Sequence, residues 1–261
     1  YSQNNNEKDG NSTFPFFLVD GDKRYSRDKF LYQNDNGKII LNLAVLYMQT
    51  KDIRLLEMAE KSADFWLSVQ QPEGNYFDEK LYLPLGDSYT PCFTLWMMAG
   101  MFSLYHVTKN EKYKASGYKV FEVTLKALLN GRIKTCYEMT GSEPWRPVSS
   151  ENYIALLCYA LAYKFTNDAI FLEKVNEIKD FCFSLIDSCG GVKNCDENTL
   201  DASLNNDENL CDLVYTQGFA LNAFVELYNI TKDEKYFTLA ENLSVFLCNI
   251  QCRENDKFID G

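Results

Sequence analysis

The chain has 261 residues, with 37 Asp and Glu against 26 Lys and Arg, so its formal net charge is -11 at pH 7. This acidic balance excludes nucleic-acid binding, because contact with the phosphate backbone depends on clustered Lys and Arg. The longest apolar run without a charge, residues 92–105, is shorter than the roughly 20 residues that a membrane span needs, so we expect no membrane partner either.

The N-terminal residues differ in composition from the rest of the chain. Residues 1–13 are almost all polar, which predicts a flexible tail and leaves 14–261 as one domain. Over the whole chain, hydrophobic residues make up 46%, which is too apolar for a disordered protein and typical of a packed globular one.

Beyond the tail, one short pattern occurs four times. It reads Tyr-x-x-Thr-x-Asp or Tyr-x-x-Thr-x-Asn at nearly regular spacing, and such self-similarity is the signature of a repeat fold. The four copies lie within residues 46–52, 104–110, 162–168 and 227–233.

Each copy predicts a helical hairpin. The stretch before the pattern is apolar on all sides, as in residues 93–102, which is typical of a buried helix. The Asp or Asn after the threonine can cap the next helix, and that helix is amphipathic, since Tyr236, Leu239, Ala240 and Leu243 share one face. Buried helices that alternate with half-exposed ones predict an all-α fold with an inner and an outer ring.

The connections between helices alternate in length. Those inside hairpins are only a few residues long, whereas residues 72–90, 131–150 and 189–210 form long links between hairpins. In a ring of parallel inner helices these long loops collect on one rim, and functional residues usually lie on such loops. We therefore expect the functional site at the long-loop rim.

One run of this sequence resembles the hairpin pattern of a known superfamily. Asp87-Ser88-Tyr89 enters an apolar helix that ends in a corner at 104–113, and this run is similar to the six-hairpin glycosidases, whose hairpins open with an acid and turn at a Leu-Tyr-x-x-Thr-Gly-Asp-like corner. Residues 227–236 are the best match, and residues 215–221 resemble, more weakly, the helical domain of uronyl C5-epimerases. The resemblance covers about residues 36–261 and implies an (α/α) barrel or toroid that acts on carbohydrate.

Two departures from the superfamily change what we expect. Four hairpins are recognisable where the superfamily often has six, and the Asp-Asp pair of some members is missing from the sequence. We therefore expect a smaller toroid, an oligomer or part of a longer chain.

Glycoside cleavage needs a carboxylic acid that protonates the leaving oxygen and a carboxylate that acts as base or nucleophile. One acid precedes or opens each predicted inner helix: Asp35, Asp87, Glu151 and Asp212. We predict that Asp87, Asp212 and Glu151 are catalytic, with Asp87 at the place where the superfamily has its acid. The alternative is that each one only stabilises the positive end of its helix.

Polar and aromatic residues near these acids are candidates for binding a sugar, because aromatic rings stack on flat apolar faces and a guanidinium can hold a uronate carboxylate with two hydrogen bonds. The predicted substrate-binding residues are Tyr89, Trp145, Arg146, Tyr153, Tyr215 and Gln217.

The histidine and cysteine content argues against a metal. His106 is the single histidine, and the nine cysteines show no C-x-x-C spacing, the usual zinc signature, so we expect no metal and no cofactor. Cys189, Cys195 and Cys211 flank a polar loop and could pair. Cysteines without disulfide-like spacing favour a reducing compartment, which predicts a cytoplasmic protein, with a secreted or periplasmic one as the alternative.

Three classes of function fit these observations. The first is a glycoside hydrolase acting on an oligosaccharide that could contain uronic acid. The second is a uronic-acid C5-epimerase or lyase, and the third is a non-catalytic helical scaffold that binds a glycan or a protein.

Overall fold

In the computed structural model the described residues are 4–5, 12–13, 33–74, 76, 91–135, 146–195 and 211–251. Two pairs of short antiparallel strands lie among them, β1 (Asn4–Asn5) with β2 (Ser12–Thr13) and β3 (Lys134–Thr135) with β4 (Arg146–Pro147). The helices are α1 (Gln33–Thr50), α2 (Ile53–Ser68), α3 (Pro91–Thr108), α4 (Glu111–Leu125), α5 (Ser149–Thr166), α6 (Ala169–Ser184), α7 (Val214–Thr231) and α8 (Glu234–Ile250).

The helices form two layers, which confirms the predicted all-α (α/α) architecture. Consecutive helices pair into four hairpins, and the first helices of the hairpins, α1, α3, α5 and α7, pack side by side in that order. Each second helix packs on the outside of its own hairpin. Among the described residues, α1 and α7 form no packed interface with each other, so the inner layer is an arc that is open between its first and last helices.

The central inner helices are buried on all sides, as the sequence predicts. Every residue of α3 from Thr94 to Leu104 is buried, and α5 is buried from Ser149 to Ala162. By contrast, the outer helix α8 buries only one stripe, which includes Tyr236, Ala240 and Leu243. No helix in the described part of the chain is long and apolar enough to cross a membrane.

Close backbone contact joins α1 to α3. A Cβ atom added to Gly37 would lie 2.5 Å from the backbone nitrogen of Met97, and one added to Gly100 would lie 2.8 Å from the carbonyl oxygen of Gly37. Both distances are shorter than any real Cβ contact, so only glycine permits this approach.

The repeated pattern forms the same corner each time. In the third copy, the hydroxyl of Thr166 donates to the carbonyl of Ala162 (2.7 Å) and accepts from the N–H of Asp168 (3.2 Å). The Asp168 carboxylate accepts from the N–H of Ile170 at 3.1 Å and so caps α6, and Asn167 between them has a left-handed φ of 58°. The same bonds recur around Thr50, Thr108 and Thr231.

Candidate functional site

The concave side of the arc holds a cavity of about 610 Å³ between α1, α5 and α7, which we call the groove. Its wall is mixed, with aromatic, aliphatic and polar side chains, as is typical of small-molecule sites. The aromatic and uncharged polar residues that line it are Trp96, Phe165, Phe219, Asn42, Gln49 and Asn222.

A line of aromatic rings leads from the groove toward the long-loop rim. The ring centroids of Trp96 and Phe219 are 5.7 Å apart, and those of Phe219 and Tyr215 are also 5.7 Å apart. Tyr215 is 51% exposed at the rim end. At the other end, the Lys38 ammonium lies 5.5 Å from the Trp96 ring centroid and 3.5 Å from the Asp35 carboxylate.

The opposite end of the groove, near the short corners, holds an ion pair. The ammonium of Lys164 donates to the carboxylate of Glu226 at 2.7 Å, which links α5 to α7. Nearby, a ring nitrogen of His106 lies 3.2 Å from the carbonyl oxygen of Phe165. These contacts join α5 to α7 and α3 to α5, so they hold the inner helices together at this end of the groove.

Two of the predicted catalytic acids lie at the long-loop rim. Glu151 is in the first turn of α5 and is only 5% exposed. Asp212 lies two residues before α7, and its carboxylate accepts hydrogen bonds from the hydroxyl of Ser149 and from the N–H of Leu213 (2.7 Å). The start of α5 and the start of α7 are thus tied together.

Tyr215 lies close to both of these acids. Burial is the largest cause that raises its pKa, the negative charges of Asp212 and Glu151 raise it further, and a hydrogen bond with the Ser150 side chain lowers it. We call Ser149, Ser150, Glu151, Asp212 and Tyr215 the rim cluster.

Short backbone pairings hold Asp212 in place. Its N–H donates to the carbonyl of Val192 at 2.8 Å, and the preceding residue, Cys211, forms a bridge with Lys193. The residue that precedes α7, Leu213, makes no side-chain capping hydrogen bond. A carboxylate is favoured there because the N-terminal end of a helix is positive.

Two of the predicted sugar-binding residues are engaged elsewhere. The amide of Gln217 is buried and binds the backbone of Val192, accepting from its N–H at 2.7 Å and donating to its carbonyl at 2.9 Å. Tyr153 is fully buried and donates to the carbonyl of Cys182 in α6 at 2.7 Å. We therefore do not include either residue in the rim cluster.

A further buried amide, Asn152, was not singled out from the sequence. It holds the backbone of Ile133 in the same way, at 2.8 and 2.9 Å. A signal was present, because Asn152 and Gln217 are each the fourth residue of an inner helix. The fourth residues of α1 and α3 are also buried and polar, namely Asn36 and Thr94.

The side chains of the remaining predicted residues lie outside the part of the chain that the structure describes. Asp87, Tyr89 and Trp145 lie outside the described residues. The backbone of Arg146 belongs to β4 and pairs with Thr135. Where side chains are described, no group of three or more His, Cys, Asp or Glu could hold a metal ion.

The comparisons with known proteins point to one fold. No family model and no curated protein matches the sequence. Among solved structures, a family 76 α-mannanase from Bacteroides thetaiotaomicron matches with a TM-score of 0.72 and 16% identity, over 95% of this chain and 64% of its own. The chain shares its (α/α) toroid fold with this structure.

Two further toroids are similar to a lesser degree. A sugar epimerase from a ruminal bacterium has a TM-score of 0.65 at 17% identity, with 88% of this chain and 62% of that chain covered. An unsaturated glucuronyl hydrolase from Bacillus sp. GL1 has a TM-score of 0.64 at 12% identity, with 87% and 65% covered. The chain therefore spans less than two thirds of the length of these toroids, in keeping with four hairpins and an open arc.

Proposed function

We propose that this chain is part of a carbohydrate-active enzyme, a glycoside hydrolase that cleaves an oligosaccharide with carboxylates at the long-loop rim. The observation that carries the proposal is the aromatic line from Trp96 through Phe219 to Tyr215, with centroids 5.7 Å apart at each step. It connects the groove to the acids of the rim cluster. Sugar rings have flat apolar faces that stack on aromatic rings, while their hydroxyls suit the polar wall of the groove.

The two described acids have different surroundings, as a general acid and its partner need. Glu151 is the more buried of the two acids, and we assign it the role of proton donor to the leaving oxygen. Asp212 is held by two hydrogen-bond donors, which fix its orientation as base or nucleophile. Asp87, from the loop before α3, is proposed as a third acid at the same rim.

The similar toroids support the class of substrate only by analogy. By name they are a mannanase, a sugar epimerase and a glucuronyl hydrolase, so each acts on sugar. A shared fold is an associational argument, and this chain spans only 62–65% of their lengths. The groove and the rim cluster therefore carry the proposal.

Substitution of the acids tests it. Glu151→Gln, Asp212→Asn and Asp87→Asn keep the shape of each side chain, and we expect each to lower the release of reducing sugar from a panel of neutral and uronic oligosaccharides by about 10²–10⁴-fold. Binding of the same sugar, measured by calorimetry, should change little. Glu111→Gln is the matched control, because Glu111 opens an outer helix and its side chain is 72% exposed.

The outcomes separate the three classes. Turnover by the three variants at the wild-type rate would contradict the hydrolase proposal. Binding without turnover in the unsubstituted protein would instead favour the non-catalytic scaffold.

A uronic-acid epimerase or lyase is the second candidate, and Lys38 favours it. This ammonium lines the groove beside the Trp96 ring, where it could bind the carboxylate of a uronic acid. Such an enzyme would exchange the proton at C5 of the sugar with deuterated water, and Lys38→Gln should weaken binding of uronic but not of neutral sugars. Absence of any exchange would exclude this candidate.

A further inference from the structure

Cys189 and Cys211 lie next to each other although a loop of the chain separates them in sequence. Cys189 belongs to a tight turn after α6, where its N–H donates to the Asp187 carboxylate at 3.0 Å. Gly190 in this turn has a φ of +91° and donates to the carbonyl of Asp187 at 2.9 Å. The backbone of Cys211 pairs in antiparallel fashion with that of Lys193, which brings Cys211 back beside this turn.

The side chain of Cys211 packs directly on this turn. A Cβ atom added to Gly191 would lie 3.0 Å from the Cys211 sulfur. Cys189 lies in the same turn, two residues before Gly191, and both cysteines are exposed. The two cysteines thus belong to one turn and are open to small reagents.

We propose that Cys189 and Cys211 form a reversible disulfide by exchange with a low-molecular-weight disulfide such as oxidised glutathione. The thiolate of Cys189 attacks one glutathione sulfur, and the other glutathione leaves as a thiol. Cys211 then loses its proton to solvent, and its thiolate attacks the Cys189 sulfur and releases the second glutathione. Two protein thiols are oxidised and one small disulfide is reduced to two thiols.

The other described thiols are less suited to this reaction. Cys158 and Cys182 are buried, and burial raises the pKa of each thiol well above its ordinary value, which suppresses the reactive thiolate. Cys248 is exposed, but it belongs to α8 and not to the turn after α6. Cys195 is only half-exposed, and its backbone is held at the start of α5, where its carbonyl accepts from the N–H of Ser149 at 2.8 Å.

The bond would act on the rim cluster, because Cys211 directly precedes Asp212. It would link the two ends of the segment 190–210 covalently. The chain that leads into α7 would then be held by this bond as well as by its backbone pairing. This inference does not depend on the proposed hydrolase activity. In the reducing compartment that the sequence predicts, the pair stays as two thiols, whereas an oxidising compartment keeps it closed.

Oxidation of the full chain tests the proposal. After incubation with excess oxidised glutathione, intact mass should show the loss of two thiols without a retained glutathione, and non-reducing peptide mapping should show Cys189 linked to Cys211. Closing a loop of this length should raise Tm by roughly 5–10 °C, and dithiothreitol should reverse the shift. Exchange should become faster as pH rises toward the pKa of Cys211, which burial first and then the nearby charges of Cys189 and Asp187 raise to about 11.

Matched variants decide the outcome. Cys211→Ser and Cys189→Ser should abolish both the link and the Tm shift, whereas Cys248→Ser, which removes an exposed thiol elsewhere, should keep both. Two thiols that both remain open to alkylation after oxidation would overturn the proposal. A stable glutathione adduct on the wild-type chain, or a link from either cysteine to Cys195, would overturn it as well.

Discussion

The inner helices α5 and α7 have the same length and end in the same corner, yet they differ in burial. Fifteen of the 18 residues of α5 are buried, against six of the 18 in α7. α5 has inner neighbours on both sides and α6 behind it, whereas the main packing partners of α7 among the described residues are α5 and α8. The difference teaches that neighbours, rather than the repeat sequence itself, determine how much of an inner helix is buried.

Exposed apolar residues follow the same division. Among the described residues, nearly all large hydrophobic side chains that remain exposed belong to the first and last hairpins or to the entry of α7, because these elements face the open side of the arc. They are Leu46, Ile53, Leu213, Val214, Tyr215, Val225, Phe237, Val245 and Ile250.

Two equivalent glycines give the sharpest test of this comparison. Gly37 and Gly218 are the fifth residues of α1 and α7. A Cβ on Gly37 would collide with the α3 backbone at 2.5 Å, whereas one on Gly218 would meet no atom of the described residues within 4 Å. We expect Gly37→Ala to lower the free energy of unfolding by about 3 kcal/mol or more. Gly218→Ala should raise it by about 0.5–1 kcal/mol, because alanine is the better helix former.

Urea unfolding measures both glycine variants. Equal effects of the two substitutions would contradict the view that α3 packs closely against Gly37 of α1 while Gly218 of α7 has open space beside it.

Two equivalent leucines should show a smaller difference. Leu104 and Leu46 each lie four residues before a corner threonine, but Leu104 is 0% exposed and Leu46 is 44% exposed. Leu104→Ala removes fully buried methyl groups and should cost about 3 kcal/mol, whereas Leu46→Ala should cost less than about 1 kcal/mol. Thermal or urea unfolding checks this, and a cost for Leu46→Ala as large as for Leu104→Ala would mean that α1 is covered in solution.

The third prediction concerns alkaline pH. Burial raises the pKa of Tyr153 well above its ordinary value, so the folded state keeps the phenol neutral while the unfolded state ionises. The stabilisation is complete below pH ~10 and falls by about 1.4 kcal/mol per pH unit above it.

Substitution isolates this effect. Tyr153→Phe should remove that part of the slope between about pH 10 and 11, at a cost of about 1 kcal/mol at neutral pH for the lost bond to the Cys182 carbonyl. Tyr215→Phe, at the half-exposed rim, should change the slope less. The check is the free energy of unfolding in urea at several pH values, and an unchanged slope for Tyr153→Phe would contradict the prediction.

The corners could be predicted from sequence because their bonds are local. Thr166 and Asp168 bind groups within four residues of themselves, so pattern and structure coincide. The hairpins and the two layers follow from these corners and from the apolar stretches between them.

The roles of individual inner-helix side chains could not be predicted in the same way. A helix that is apolar all round gives no signal for which side faces the groove. Tyr153 finds its partner in the outer helix of its own hairpin, at Cys182, and Gln217 finds its partner after the preceding hairpin, at Val192. The sequence did indicate acids at the long-loop rim, and Glu151 and Asp212 lie there beside Tyr215. Their catalytic role stays a prediction.

The stepwise packing of the inner helices has a consequence for how the protein is made. Because each hairpin contacts the one before it, folding can proceed in the order of synthesis, and stability approximates a sum of neighbouring terms. The hairpin of α1 and α2 then offers a docking surface to α3, which approaches it closely at Gly37. Each later hairpin extends the arc without waiting for a distant segment, so the apolar inner helices are exposed to solvent only briefly during synthesis.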